Sequence, residues 1–249
     1  MITATTTTNL RGPRGIAIVG NELYVANQQG GSVAVFPLDA TGEAAPTRML
    51  TGATTTLASP SDVAVFNNEL YVAQISGNVL VFPADATGNV APTRTVTLAG
   101  LTHCTGIKIF NNEMYVADFV SSTAGAGQVA VAPVTASGAT TPTRLITSGS
   151  FQGAQEVMID GGELFVANAY NNSIDVFDAA TANGNSAPTR AITGMSYPYG
   201  MLVLDGELYS SNQANNSVLV YPRTANGAAT PTRTITSTGI TGNLGLAVY

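Results

Sequence analysis

An all-β propeller of four-stranded blades is the fold this chain predicts, and three observations carry the prediction. The phrase E-L-Y-V-A-N, or a near copy, begins at Glu22, Glu69, Glu113, Glu163 and Glu207, at intervals of 47, 44, 50 and 44 residues. Each copy is followed by an apolar run and then by P-T-R, the triplets ending at Arg48, Arg94, Arg144, Arg190 and Arg233. Four short strand-like segments fit inside each period, and a repeat of that length is how a propeller blade reads in sequence.

The first copy shows how each element is read. G-I-A-I-V at 15–19 is a first strand, and Gly20 with Asn21 makes a tight turn that accepts positive φ. Residues 22–27 form the second strand, 28–31 the next turn, and S-V-A-V-F-P at 32–37 the third strand. A polar connection leads to P-T-R-M-L-T at 46–51, the fourth. The strands are apolar on both alternating sets, as sheets packed face to face require. Pro37, Pro83 and Pro222 close third strands, and the proline of each P-T-R is expected at the first residue of an outer edge strand, where a missing N–H is tolerated.

One domain, 1–249, accounts for the chain, with repeats near 13–51, 60–97, 104–147, 154–193 and 198–236 and a partial repeat at 243–249. G-L-A-V-Y at 245–249 aligns with the first strand at 15–19. Ile2 and Thr3 align with the end of a fourth strand, as at Ile146 and Thr147. First strands therefore number six, second and third strands five, and both a five-bladed and a six-bladed ring stay open.

Composition excludes some partners. Nine Lys+Arg stand against fifteen Asp+Glu, a net charge of −6, so no basic stripe is available for nucleic acid or an anionic membrane surface. No apolar run approaches the ~18 residues of a membrane span. The first residues lack a basic region and an apolar core, so no signal peptide is expected in the sequence; an extracellular or cell-surface location is favoured if one was removed. One cysteine, Cys104, excludes an internal disulfide. The Thr, Gly, Ala and Asn richness with a single lysine, Lys108, resembles that of exported bacterial repeat proteins.

The segments 23–36, 70–82, 114–132, 164–177 and 208–221 each join L-Y-V-A-N, a short N-N-S or G-G-S loop and V-x-V-F, or variants of these. That pattern resembles the NHL and YVTN propeller repeats and covers nearly the whole chain. The resemblance implies the fold. It leaves function open, since those families include scaffolds, protein and RNA binders, surface proteins and lactonase-like enzymes. No Trp-Asp pair of the WD40 kind is present.

Up-down connectivity puts the strand 1–2 turn and the strand 3–4 connection on one face of the disc, and the strand 2–3 and 4–1 loops on the other. Glu22 with Arg48, Glu69 with Arg94, Glu113 with Arg144, Glu163 with Arg190 and Glu207 with Arg233 then read as ion pairs within a blade or to its neighbour. Fivefold recurrence is what a structural role predicts, and an exposed pair is worth under ~1 kcal/mol.

Chemistry is sought where the copies disagree. Five aromatics lie outside repeat positions: Phe119, Phe151, Tyr170, Tyr197 and Tyr199. All five fall in loops of one face over blades 3 to 5, which predicts a platform for a glycan or an extended peptide. The alternative is that they pack down on their own loops. Blade 3 has a long strand 2–3 loop, 118–128, with Gly125 and Gly127 expected to make it an adaptable edge.

Asp62, Asp118 and Glu156, with amide oxygens from Asn27, Asn168 or Asn212, could form a hard oxygen site for Ca²⁺ at the channel mouth. Alternatively Lys108 pairs with Asp62 or Glu156 and plugs the channel. His103 beside Cys104 makes a poor base and nucleophile, because adjacent residues in an extended loop point apart. Cys104 occupies the slot of Pro13, Pro60 and Pro198, which predicts a small buried thiol. Ser210 and Ser211 replace the usual Val-Ala and either face the channel, line the site or are tolerated near an imperfect closure; N-N-S at Asn171 and Asn215 fits the glycan acceptor pattern but reads first as turn. The expected function is non-catalytic binding of a glycan or peptide. A cation-dependent lactonase-like hydrolase is the alternative, and a passive scaffold the second.

Overall fold

The structure is a computed structural model that describes residues 2–3, 5–236 and 245–247. Five sheets, each built on four antiparallel strands in chain order, surround a central channel as the blades of a propeller. Blade 1 comprises Pro13–Val19, Glu22–Asn27, Ser32–Pro37 and Arg48–Thr51. Blade 2 comprises Pro60–Phe66, Glu69–Gln74, Asn78–Pro83 and Arg94–Leu98. Blade 3 comprises Cys104–Phe110, Glu113–Asp118, Gln128–Pro133 and Arg144–Thr147. Blade 4 comprises Ala154–Asp160, Glu163–Asn168, Ser173–Asp178 and Arg190–Thr193. Blade 5 comprises Pro198–Leu204, Glu207–Asn212, Ser217–Pro222 and Arg233–Thr236.

Local chemistry explains the strand ends. The strand 1–2 turns of blades 2 and 3 are Asn67-Asn68 and Asn111-Asn112, all four residues at positive φ, the conformation that matches the twist of a two-residue hairpin. First strands begin two residues earlier than expected, at Pro13 in blade 1, because a bulge between Pro13 and Ile16 carries the pairing past the loop. Fourth strands begin at the arginine, so the proline of P-T-R lies two residues outside the ladder. The threonine between them has a repeated task. Thr47, Thr93, Thr143, Thr189 and Thr232 each donate both backbone N–H and hydroxyl to one third-strand carbonyl, as Thr47 does to Val35 at 2.8 and 3.1 Å.

Second and third strands bury nearly every residue, which is why they are apolar on both faces. Their side chains form layers between consecutive blades. One layer joins Val33, Leu50 and Tyr24 of blade 1 to Leu70, Leu80 and Phe82 of blade 2, and comparable layers follow round to blade 5. Each such side chain contributes about 1.5–3 kcal/mol on burial.

Two polar devices repeat with the blades. The Glu–Arg pairs form in all five, and the second-strand tyrosine hydroxyl bonds the glutamate in blades 1, 2, 3 and 5. The arginine also reaches into the following blade. Arg48 donates to the carbonyl of Ala84 at 3.2 Å, Arg94 to Val134 at 2.9 Å, Arg144 to Ala179 at 2.6 Å and Arg190 to Arg223 at 2.9 Å. The pairs thus serve within the blade and across to the next.

The second device is a glycine of the strand 3–4 connection that pairs, in parallel, with the outer strand of the preceding blade. Gly88 pairs with Leu50, Gly138 with Val96, Gly184 with Ile146 and Gly227 with Ile192. Each of these glycines has φ between 61° and 70°, a region that favours glycine. Gly42 of blade 1 makes the same pairing with Ile2.

The position of each arginine sets its worth. Arg144, with its side chain 13 % exposed, bonds Glu113, Tyr115 and Ala179, whereas Arg233 is 52 % exposed and bonds only Glu207 and Tyr209 among the described residues. Arg144→Ala is expected to lower unfolding free energy by about 2 kcal/mol, and Arg233→Ala to change it little. Urea unfolding midpoints compare the two, and equal losses would contradict the role of the next blade's carbonyl.

Candidate functional site

Loops on the strand 2–3 and 4–1 face are pinned from beneath by the last residue of each second strand. Asn27, Gln74, Asp118, Asn168 and Asn212 are all buried. Each accepts a bond from a backbone N–H of the preceding strand 4–1 loop: Arg11, Ala58, Thr102, Gln152 and Ser196 respectively. Asp118 also accepts from His103 N–H at 2.5 Å and from the Gln128 amide at 2.9 Å. These residues are loop anchors, and the amide oxygens expected as cation ligands bond loop N–H groups instead.

Asp62 and Glu156 do converge, but on a lysine. Lys108 Nζ lies 3.0 Å from Asp62 Oδ2, 3.1 Å from Glu156 Oε1 and 3.1 Å from the Ile107 carbonyl. Space for the carboxylates comes from their neighbours: a Cβ on Gly15 would fall 1.9 Å from Asp62 Oδ1, and one on Gly106 3.0 Å from Glu156 Oε1. Burial, the largest effect, and the charge of Asp62 push the Glu156 carboxyl up to about 8, with Lys108 pulling the other way. Burial works against the charge of Lys108, but the two carboxylates outweigh it and hold the ammonium charged. The arrangement is the plug. The expected oxygen triad is not assembled, since Asp118 stays with its loop, and no group of three His, Cys, Asp or Glu suited to a metal occurs among the described residues.

The five loop aromatics divide. Phe119, Tyr170 and Tyr197 form one contiguous row, with ring centroids 5.8 Å apart at Phe119–Tyr170 and 5.1 Å apart at Tyr170–Tyr197. Tyr170 is 46 % exposed, and its neighbours are half-buried. Gly153 makes the row possible: a Cβ there would meet the Phe119 ring at 2.6 Å and the Tyr170 ring at 3.0 Å. Burial and the hydroxyl of Tyr170 push the Tyr197 phenol up to about 12. Phe151 and Tyr199 are placed differently from the expectation. Phe151 is buried edge-on to Phe177, 5.5 Å between centroids, in the layer between blades 3 and 4. Tyr199 is buried beneath the Arg14 guanidinium, 5.2 Å from its ring centroid. Both are buried against neighbouring blades, so neither is part of an exposed platform.

The long loop of blade 3 is also less free than its glycines imply. Ala126 pairs with Gln152, and its carbonyl accepts from Gly153 N–H at 3.1 Å, which ties the loop to the platform. Gly127, at φ 132°, lets the chain pass Ala154 and Phe151. His103 is exposed and Cys104 buried, so they do not act together; burial and then the charge of Asp118 push the thiol up. Ser210 and Ser211 are both buried, and Ser211 Oγ accepts from Gly200 N–H at 2.8 Å. Asn171 and Asn215 end short 3-10 turns.

A feature not read from the sequence lies on the opposite face. The channel opens there as a funnel of about 350 Å³ lined by apolar first-strand residues such as Ile16, Val65, Ile109 and Met201, with Lys108 in its lining. The alternation of apolar residues in the first strands is the signal that could have located it.

Comparison with known proteins supports the fold. No family model matches the chain, and no curated protein matches it. Among solved structures, a chain from the crystal structure of a nidogen/laminin complex superposes with a TM-score of 0.71 at 16 % identity, covering 93 % of this chain and 82 % of that one. The WD40 β-propeller domain of Doa1 gives 0.64 at 13 % identity, with 91 % and 69 % covered. The computationally designed Ika8 protein gives 0.57 at 12 %, with 90 % and 61 % covered. Likeness at this level concerns architecture. Among the described residues no helix is long and apolar enough to cross a membrane.

Two outcomes are expected. Gly153→Ala, at φ 77° and against two rings, should destabilise by about 1–3 kcal/mol and raise the solvent quenching of tyrosine fluorescence. Unchanged melting and quenching would show that the row does not rest on Gly153. The second concerns pH. An acid whose folded value is raised stabilises fully below its ordinary 4.5, and that stability is lost as pH rises through about 8. Melting temperature should therefore fall between about pH 5 and about pH 8.5, and fall less in Glu156→Gln. Parallel pH profiles for the two proteins would contradict it.

Proposed function

We propose that this propeller is a binding protein without catalytic chemistry of its own, and that its ligand is a glycan or an extended peptide segment. The observation that carries the reading is the exposed Tyr170 ring, braced between Phe119 and Tyr197 on loops tied down from below. A braced ring offers flat apolar area with few torsions left to freeze, and its neighbours supply walls on either side. The structural neighbours are consistent with this: one is a nidogen–laminin complex. The channel carboxylates support binding over hydrolysis, because Lys108 occupies the space between them.

Glycan and peptide arrays probed with the purified protein test the reading. Tyr170→Ala should weaken any hit by roughly tenfold or more, and Tyr197→Ala by less. Tyr199→Ala, a buried position, should change melting temperature first. A hit insensitive to Tyr170→Ala would move the site elsewhere, and no hit on either array would favour the passive scaffold.

A further inference from the structure

Charge is divided unevenly between the two faces of the disc. Asp62, Asp118, Glu156 and Asp175 are buried. Every other carboxylate lies on the face of the strand 1–2 turns and strand 3–4 connections. These are the glutamates of the five ion pairs, Asp160, Asp178 and Asp205 at strand ends and turns, and Asp39, Glu43 and Asp85 in the connections. The paired arginines and Arg223 lie on that face too. Residues outside the described ones include no Asp, Glu, Lys, Arg or His, so the division covers each of these side chains in the sequence. The loop face therefore presents basic side chains only: Arg11, which is exposed, Arg14, which is half-buried, and the exposed His103. Neither arginine pairs with a carboxylate among the described residues. Strands of six or seven residues hold the faces roughly 20 Å apart. That is more than twice the ~8 Å Debye length at physiological salt, so the acids of one face act little on the other.

Arg14 borders the aromatic row. Its guanidinium lies over the Tyr199 ring, and its Nε–H has no hydrogen-bond partner among the described residues. Burial and the Tyr170 hydroxyl raise the Tyr197 phenol, while the charge of Arg14 and the Gln155 amide act on it the other way, so both stand close to it. Gln155 is buried and leaves its Oε1 without a hydrogen bond among the described residues. A donor at one end of the row and an acceptor beneath it are thus unmet, and an unmet buried group is costly.

We propose that the ligand of this platform is an acidic glycan, a uronate-type sugar whose carboxylate pairs with Arg14 while its ring lies against Tyr197 and Tyr170. The inference rests on the platform reading above and narrows it to one ligand class. A uronate carries an apolar C–H face and a carboxylate on a single ring, which suits a cation set directly beside a row of aromatics. Its hydroxyls donate as well as accept, and one of them would satisfy Gln155 Oε1, directly or through a water. The row itself disfavours a peptide. Its rings stand 5.8 and 5.1 Å apart, whereas same-face side chains of an extended peptide repeat at roughly 6.7 Å. With no exposed carboxylate on the loop face, an anionic chain approaches it under attraction, although the whole molecule is acidic.

The test titrates the whole chain into end-labelled tetragalacturonate and into its fully methyl-esterified form, followed by fluorescence anisotropy. The acid should bind with a dissociation constant on the order of 10–100 µM, and the ester roughly tenfold more weakly. Arg14→Gln should weaken the acid roughly tenfold and leave the ester unchanged, while Arg14→Lys, which keeps the charge, should retain most of the affinity. Arg14 has no carboxylate partner to lose, so Arg14→Gln should melt close to the parent protein. Raising NaCl from about 50 to about 500 mM should weaken only the acid. Asp205→Asn, a charge change of the same size on the opposite face, should alter neither. Equal binding of acid and ester, both lost in Tyr170→Ala, would overturn the acidic assignment and leave the platform standing. Acid binding that survives Tyr170→Ala but not Arg14→Gln would overturn both. No saturation by either sugar below about 1 mM would overturn the proposal. So would tighter binding of a hexapeptide of alternating Asp and Leu, which would make the ligand a peptide.

Discussion

Everything in this ring depends on a blade being completed by the one that follows it. A four-stranded sheet has two apolar faces and an outer edge, and it can satisfy neither alone. Here the following blade covers the face, its glycine pairs with the outer strand, and its carbonyl accepts from the arginine. Arg144 shows the arrangement in full: one guanidinium holds Glu113 and Tyr115 of its own blade and Ala179 of the next. Cohesion therefore passes from neighbour to neighbour, as in other repeat architectures, and the copies must resemble one another wherever they touch.

The same constraint separates scaffold from site. Residues recurring in every copy, including Asp118 in its anchor position, are occupied by the scaffold. Variation is permitted where a loop ends above its anchor, and that is where Phe119, Tyr170 and Tyr197 gather. The centre follows another logic. Glycine at positions 15 and 106 makes room for the carboxylates of the following blades, and a single lysine between Asp62 and Glu156 balances them. Lys108 bonds both carboxyl groups, so the three residues act as one structural unit.

Much of this was legible in the chain. The period, the four strands, the strand 1–2 turn at Gly20 and the Glu–Arg pairs follow from residue type and spacing, since hairpins and ladders are local. Cys104 in a proline slot was readable as a buried thiol for the same reason. Asp118 misled because it looked like a variable acid. Aligned with Asn27, Gln74, Asn168 and Asn212, it is the same anchor with a different head group, and that alignment was available from the repeats.

What the sequence by itself determined is the repeat: which residues form strands, which turn, and which charges recur together. Tertiary structure alone decided which loop aromatics meet. Phe151 and Tyr199 are aromatic and close in the chain to loops like those of Tyr170 and Tyr197, yet Phe151 is buried in the layer between blades 3 and 4 and Tyr199 beneath Arg14. A loop side chain's direction is set by the blades on either side and by whether a glycine such as Gly153 leaves room, and neither is encoded within the loop.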